Sequence, residues 1–417
     1  MNPKIKKFIE ENIDKTVRFC PKDNDTLIAL PFKYTVPCVS EMFQELFYWD
    51  SYFTDKGLLI MGMTDLVKGN TDNMLYLIEK FGFMPNGNRT YFLNRSQPPY
   101  LSLMVKDLFE VTQDKEWLTG AYETLKKEYG FWQTKRMMKN GLNGYTNYET
   151  DILDDDIAPQ FLRRTGYTLE GELTPEITEE LCQAFSSVCE SGWDCNSRVL
   201  AEGHYYNSVD LNSLLYAMEE NMAYFAYILS NGDVNIWNNR KEERKAKMQL
   251  LWNEQEGVFI DYNVKSGKFS KYKSAACFYP LFIKIATKEQ AEKTVKLLEK
   301  LELEYGVSSG EPNPKWNCQW DYPNVWAPMQ YIVYRGLINY GYTEDARRIA
   351  QKYVSLIEKG FDETENLWEK YNGNTGKVTV YEYDAPPMMG WTAGIYIFFC
   401  KELGRIKKNN PKGVSIL

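Results

Sequence analysis

The chain has 417 residues, 44% of them hydrophobic, and a formal net charge of −8. It is long enough to bury a large core, while its negative charge disfavours a nucleic-acid partner and, more weakly, an anionic membrane surface. The sequence contains one histidine, His204. A Ser-His-Asp or Cys-His arrangement and a multi-histidine metal site are therefore almost excluded, and acid–base chemistry would have to rest mainly on carboxylates.

The first residues and the cysteines bear on the cellular compartment. Charged residues between Met1 and Asn12 occupy the place where a signal peptide would need an apolar stretch. No apolar run approaches the roughly 18 residues of a membrane span. The eight cysteines form no Cys-x-x-Cys pair and are typical of reduced thiols. We therefore expect a cytoplasmic protein with no membrane partner.

Helical periodicity dominates the chain, and strand signals are few. Thr71 is predicted to cap a helix, the Pro98-Pro99 pair to open the next, and Thr174-Pro175-Glu176 to open a third. Further helices are predicted at 115–132, 209–229, 233–251, 288–302, 324–340, 344–359 and 391–403. Short hairpins are predicted at 257–262 and 378–381, and loops at 41–52, 83–99, 190–198, 317–328 and 366–392.

No low-complexity linker or charge block divides this alternation of helices and loops. We therefore expect a single domain over 1–417. One architecture that holds so many helices in one domain is a ring of paired helices, the all-α (α/α)6 barrel, here with small β-hairpins added. Periodicity alone does not choose it over another all-α fold.

Two carboxylates follow tryptophans in predicted loops. Asp194 ends the segment 190–194, and Glu369 lies within 367–371. An apolar wall beside Asp194 would favour its protonated form, as a general acid requires, and Lys370 could hold Glu369 ionised as a base. Taken alone, Asp194 is more simply explained as a helix cap or loop aspartate, and Glu369 as part of a surface salt bridge. Paired carboxylates are nevertheless the usual machinery of glycoside hydrolysis.

The segment 86–99 is dense in side chains that form hydrogen bonds. Its Asn, Arg, Ser and Gln residues can together bind vicinal sugar hydroxyls, which both donate and accept. A capped helix start would explain Ser96 and Gln97 without a ligand. It does not explain Asn86 and Arg95 as well, so a sugar site is a candidate here.

Aromatic residues make up 15% of the chain and often stand beside polar ones. In the segment 48–52, Trp49 offers a stacking surface and Asp50 an acceptor, which would suit a sugar ring. A core tryptophan with a helix-capping aspartate is the simpler interpretation of this segment alone.

Together these segments resemble the trehalase family, glycoside hydrolase family 37. The similarity covers about 35–403 and keeps the family's order along the chain, which makes it more specific than any single short motif. The segments that carry it are Glu45–Tyr52, Pro85–Arg89, Asn94–Pro99, Glu190–Asp194 with Ser197-Arg198, Val209–Asn212 and Gln319–Pro328.

The resemblance implies an (α/α)6 barrel with its active site at one mouth, which hydrolyses α,α-trehalose to two glucoses with inversion. Asp194 matches the family's general acid and Glu369 its general base. No metal or cofactor is implied. The positions that match sugar contacts are Phe43, Trp49, Asp50, Asn86, Arg95, Ser96, Gln97, Gly192 and Glu382, with Arg163 as the best local match to an arginine motif.

Three departures from the family pattern surround this acid–base pair. Met42 stands where a sugar-binding arginine is expected, and Thr165 replaces a glutamate two residues after Arg163. The segment 377–381 replaces a glycine-rich loop that covers the site. The sequence therefore also admits an inverting glycosidase that acts on another small α-glucoside, including a glucosylated acid, or a catalytically weak sugar-binding relative.

Overall fold

A computed structural model describes residues 1–146, 157–165, 167–169, 171–313, 318–379, 386–387 and 390–406. Within these segments the chain is mainly helical. The helices are α1 Pro3–Asn12, α2 Tyr48–Ile60, α3 Thr64–Phe81, α4 Leu101–Thr112, α5 Lys115–Lys135, α6 Ile157–Thr165, α7 Pro175–Glu190, α8 Val209–Leu229, α9 Val234–Met248, α10 Tyr279–Phe282, α11 Lys288–Val295, α12 Leu298–Leu301, α13 Ala327–Asn339, α14 Thr343–Thr364 and α15 Gly390–Glu402.

The strands are short and pair antiparallel in small sheets: β1 with β2, β3 with β6 and β6 with β7, β4 with β5, β8 with β9, and β10 with β11. They are β1 Val17–Arg18, β2 Tyr34–Thr35, β3 Tyr206–Asn207, β4 Trp252–Asn253, β5 Val258–Phe259, β6 Tyr262–Asn263, β7 Lys268–Phe269, β8 Glu302–Leu303, β9 Gly306–Val307, β10 Asn324–Trp326 and β11 Lys370–Asn372.

Helices α2, α4, α8, α10, α13 and α15 form a closed inner ring, in which each packs against the next and α15 returns to α2. Helices α3, α5, α9 and α14 pack outside their inner partners. The architecture is therefore the (α/α)6 barrel with short β elements, and this prediction is confirmed.

The ring closes through glycines at the contact between α2 and α15. A Cβ atom on Gly57 would lie 2.6 Å from the Cα atom of Gly394, too close for any real side chain. Both helices are buried on nearly all sides, because each faces the core of the ring and an outer helix. The predicted loop over 41–52 is wrong from Tyr48 onward, where α2 begins, and a helix buried all round has no amphipathic period to mark it in the sequence.

Further elements differ from the predictions. The predicted 288–302 helix is divided into α11 and α12, and the predicted 324–340 helix begins as strand β10, with α13 starting at Ala327. In the predicted 257–262 hairpin, β5 and β6 pair with other strands and not with each other. Helix α3 begins at Thr64 rather than at Thr71, whose buried hydroxyl donates to the Val67 carbonyl inside the helix. Helix α1 was not predicted. It packs on the outside of the ring, where Phe8 meets Phe361 of α14 and the Asn2 N–H donates to the Tyr396 hydroxyl of α15.

Helices α6 and α7 belong to a second, smaller apolar cluster that includes Phe161, Leu181 and Leu200. The Thr174 hydroxyl accepts from the Ile177 N–H at the start of α7, as predicted. Helix α7 leads directly into the loop that carries Asp194. Among the described residues, none of these helices is both long and apolar enough to cross a membrane.

Candidate active site

A pocket opens at the end of the barrel where α2, α13 and α15 begin. It is lined by Pro37, Phe43, Phe47, Trp49, Asp50, Gln97, Gly192, Asp194, Gln319, Trp320, Trp326, Glu369 and Trp391. Both predicted catalytic carboxylates therefore face one pocket, together with five of the ten predicted sugar contacts.

Four tryptophans form the apolar wall of this pocket. Trp320 stacks on Trp326 with ring centroids 3.9 Å apart, and Trp49 lies 5.3 Å from Trp320. Trp391 meets Trp49 and Trp326 edge to face. The wall comes from these four rings and not from Trp193 or Trp368, the sequence neighbours of the two carboxylates, which do not line the pocket. Flat apolar rings beside carboxylates suit a sugar ring.

Asp194 lies in the loop after α7 and is half-buried. Gly192 adopts φ +72°, and a Cβ atom there would lie 2.8 Å from Trp49. The loop therefore needs glycine both for its backbone conformation and for its contact with the tryptophan wall. The Trp193 N–H donates to the Ser191 hydroxyl, which shapes the turn that brings Asp194 to the pocket.

Glu369 precedes β11, which pairs with β10 so that Trp326 lies opposite Lys370. The Lys370 ammonium is 2.7 Å from a Glu369 carboxylate oxygen and 3.1 Å from the Gln319 amide oxygen. The exposed fractions of the two charged side chains are 0% and 4%. This ion pair is buried and not on the surface, and it places a fixed positive charge behind Glu369, as the sequence predicted.

Asp50 is a third carboxylate in the pocket. Burial, followed by the negative charges of Glu369 and Asp194, raises its pKa from 3.8 to about 8. The three carboxyl groups line the same pocket. Asp50 lies in the first turn of α2, where Phe47 is the N-cap residue, so the simpler interpretation of Asp50 as a helix cap does not hold. At neutral pH it carries a proton and can donate to a sugar hydroxyl.

The loop 83–99 reaches the pocket through Gln97, whose amide oxygen accepts from the Trp49 N–H at 3.2 Å. The Ser96 hydroxyl donates to the Met84 carbonyl, and the Asn86 amide contacts the Ser96 carbonyl. The Arg95 guanidinium lies over Phe92, 5.0 Å from its ring centroid. Asn86, Arg95 and Ser96 are not among the described lining residues, and Asn86 and Ser96 shape the loop behind Gln97.

The remaining predicted positions lie elsewhere. Arg163 is exposed on α6 and is not among the described lining residues, and Thr165 is buried and donates to the Phe161 carbonyl. Met42 is 42% exposed and is not among the described lining residues. Glu382 lies outside the described residues, as do the last two residues of the predicted 378–381 hairpin.

Sequence reasoning did not select Gln319, Trp320, Trp326, Trp391, Phe47 and Pro37 as site residues. A signal for four of them was present, because Phe47 lies in the segment Glu45–Tyr52, and Gln319, Trp320 and Trp326 lie in the segment Gln319–Pro328. Within the described part of the chain, no group of three or more His, Cys, Asp or Glu side chains is arranged to hold a metal ion.

An (α/α)6 barrel with carboxylates and stacked tryptophans at one mouth defines a carbohydrate-cleaving enzyme. The profile of the family described as Trehalase matches residues 1–404. The chain is 32% identical to the periplasmic trehalase of Escherichia coli O8, over 89% of this chain and 69% of that protein. The chain belongs to the trehalase family and is a glycosidase.

Solved structures agree with this assignment. The neutral trehalase Nth1 from Saccharomyces cerevisiae superposes with a TM-score of 0.76 and 30% identity, over 89% of this chain and 73% of that one. A GH63 mannosylglycerate hydrolase from Thermus thermophilus superposes with a TM-score of 0.67 and 17% identity, over 95% and 99% of the two chains. The second likeness concerns the fold alone.

Proposed function

We propose that this protein hydrolyses α,α-trehalose to two glucoses with inversion at the attacked carbon. The main observation behind this proposal is that Asp194 and Glu369 face one pocket with a wall of tryptophans. Of the two, only Glu369 is followed in the chain by a lysine, Lys370, with which it forms a buried ion pair. The named activity of the relatives, which are trehalases, supports this substrate.

In the proposed reaction Asp194 is protonated and Glu369 is ionised. Asp194 gives its proton to the glycosidic oxygen as the bond from that oxygen to the anomeric carbon breaks. A water on the opposite face of the sugar forms the new C–O bond and passes a proton to Glu369. Two glucoses leave, and the net proton transfer from Asp194 to Glu369 is reversed through solvent. An inverting pair needs a separation of about 6.5–9.5 Å for that water.

The charge of the pocket bears on the alternative substrates. Asp50, Asp194 and Glu369 line it, and its described lining residues include no lysine or arginine. A glucosylated acid would find no lysine or arginine among these lining residues to pair with its carboxylate, and it would meet the negative charge of Glu369, the one pocket carboxylate that is ionised in the proposed reaction. The pocket therefore favours a neutral glucoside, and trehalose is neutral.

Product analysis tests the proposal. Trehalose, maltose, sucrose and glucosylglycerate are offered to the enzyme, and the anomers released are followed by NMR before they equilibrate. We expect trehalose to be cleaved best, with one β-glucose and one α-glucose formed together. Preferential cleavage of glucosylglycerate, or release of α-glucose only, would contradict the proposal.

The cellular location of the protein and the extent of its domain are also proposals. Seven of the eight cysteines are buried and the remaining one is half-buried, and thiols are typical of a reducing compartment such as the cytoplasm, although bacterial relatives are named periplasmic. A single catalytic domain over 1–417 is supported by one apolar cluster that includes residues from Ile5 to Ile406. Fractionation of the native host and limited proteolysis test these two points.

A further inference from the structure

Three separate segments of the chain meet at the buried carboxylate of Glu190, the last residue of α7. Its Oε1 atom accepts from the Ser96 N–H at 2.8 Å and from Arg136 Nη2 at 2.9 Å. Its Oε2 atom accepts from Arg136 Nε at 2.7 Å. Arg136 is the C-cap residue of α5, so one carboxylate joins the end of α5, the end of α7 and the loop that carries Gln97.

The chain continues directly to the pocket after Ser96 and after Glu190. After Ser96 comes Gln97, which lines the pocket and accepts from the Trp49 N–H. After Glu190 comes the short turn through Gly192, which touches Trp49, and then Asp194. We call 191–194 the acid loop and 83–99 the sugar loop. Both loops are therefore connected to the Glu190 carboxylate, and both contact Trp49.

The geometry of the Glu190 contacts favours a rigid junction. The exposed fractions of the Arg136 and Glu190 side chains are 4% and 0%. The bidentate arginine fork and the backbone donor fix the carboxylate in both position and plane, which a single flexible contact would not do. The Arg136 guanidinium is also packed over Phe131, 4.8 Å from its ring centroid.

We propose that Glu190 and Arg136 are positioning residues that hold the acid loop in register with the sugar loop, so that Asp194 meets the glycosidic oxygen of a sugar bound at Gln97. Neither side chain lines the pocket, so both act through other residues. The role in catalysis rests on the proposed function. Misplacing a reacting group by about 1 Å can reduce a rate about 100-fold, which sets the scale of the expected effect.

The chain offers a matched control in the pair Glu219–Arg244. The Glu219 carboxylate is 2.8 Å from Arg244 Nε, and the exposed side-chain fractions are 1% and 5%. Glu219 also accepts from the Tyr129 hydroxyl, and it joins outer and inner helices without lining the pocket. Loss of this pair should affect folding stability as the loss of the Glu190 pair does, without moving Asp194.

The test compares Glu190→Gln, Arg136→Lys and Glu219→Gln with the wild type. We expect Glu190→Gln to lower kcat on trehalose about 10- to 100-fold and to shift the alkaline limb of the pH profile, because the proton donor is displaced. Arg136→Lys keeps the charge but loses the fork, so we expect a smaller loss. Glu219→Gln should keep kcat and KM within about 2-fold of the wild-type values, although its Tm should be lowered about as much as that of Glu190→Gln.

Several outcomes would overturn the proposal. One is a folded Glu190→Gln enzyme with wild-type kcat, KM and pH profile. Another is a Glu219→Gln enzyme that loses activity to the same extent at the same Tm. If Glu190→Gln does not fold, a wild-type kcat and pH profile in Arg136→Lys overturns it equally.

A second readout separates this proposal from the proposed function. Glucose binding is followed by the tryptophan fluorescence of the pocket wall. Failure of the wild type to cleave trehalose would refute the function. Weaker glucose binding in Glu190→Gln than in Glu219→Gln would still support the register between the loops, and equal binding would count against it.

Discussion

The two carboxylates of the pocket are held in different ways. Glu369 stands at the edge of a strand pair with a buried ammonium against it, so a fixed charge maintains its environment. Asp194 stands in a loop with left-handed backbone at Gly192 and Cys195, and packing against Trp49 maintains its position. In the proposed reaction, the base Glu369 is therefore held by a neighbouring charge, whereas the acid Asp194 depends on the conformation of its loop. Four predictions test this difference.

The largest effect is expected from removal of the acid or the base. Asp194→Asn and Glu369→Gln should each lower kcat on trehalose about 10²–10⁴-fold while Tm changes little. The two should differ on α-glucosyl fluoride, because fluoride leaves without protonation. We expect activity to recover in Asp194→Asn and not in Glu369→Gln. Recovery in Glu369→Gln alone would reverse the assigned roles.

Removal of the charge behind Glu369 should have the next largest effect. Lys370→Met leaves a buried carboxylate without its cation, which typically costs about 3–5 kcal/mol of stability. We expect a lower free energy of unfolding in denaturant titration and a lower kcat/KM on trehalose. Lys6→Met, on an exposed Lys6–Glu10 pair, is the control. A free energy of unfolding and a kcat/KM that both stay unchanged in Lys370→Met would show that the ammonium has no part in maintaining the base.

Disturbing the acid loop should have a smaller effect. Gly192→Ala combines an unfavourable φ with a clash against Trp49, and we expect kcat/KM to fall about 10-fold or more, since strained backbone costs about 1–3 kcal/mol and must relax by moving the loop. Gly82→Ala is the matched control, with φ +82° and no atom within 4 Å of the added Cβ. It should lose stability and keep its activity. Equal kinetics in both variants would contradict the packing argument.

The smallest effect is expected from Asp50, whose proton makes the stability of the folded protein depend on pH. Its folded pKa of about 8 lies above the unfolded value of about 3.9, so the folded state binds the proton more tightly. Stability from this group is therefore present below pH 4 and is lost as pH rises towards 8. We expect Asp50→Asn to narrow the Tm difference between pH 6 and pH 9. Asp362→Asn, at an exposed position, should leave this Tm difference unchanged. If the Tm difference is also unchanged in Asp50→Asn, Asp50 does not hold a buried proton.

Much of the helical pattern could be predicted. Helices α8 and α15 were predicted within one residue of their observed bounds, and the predicted start of α7 at Thr174-Pro175 is correct. Helix α2 is buried on nearly all sides and shows no amphipathic period, so periodicity did not reveal it, and the amphipathic helix α1 was also missed. The site residues show a similar mixture. Gln97 and Asp50 stood out as polar groups, whereas Trp326 and Trp391 are typical of any core until the ring closes.

The sequence by itself determined the chemistry that is available: carboxylates in place of histidines, an Asp and a Glu in loops that follow tryptophans, and the order of segments that the trehalase family shares. Only the tertiary structure decided which groups meet. Trp49, Trp320 and Trp391 come from distant parts of the chain and form one wall because closure of the inner ring brings the starts of α2, α13 and α15 to the same mouth. The junction at Glu190 was likewise invisible in the sequence, since Ser96, Arg136 and Glu190 are brought together by folding alone.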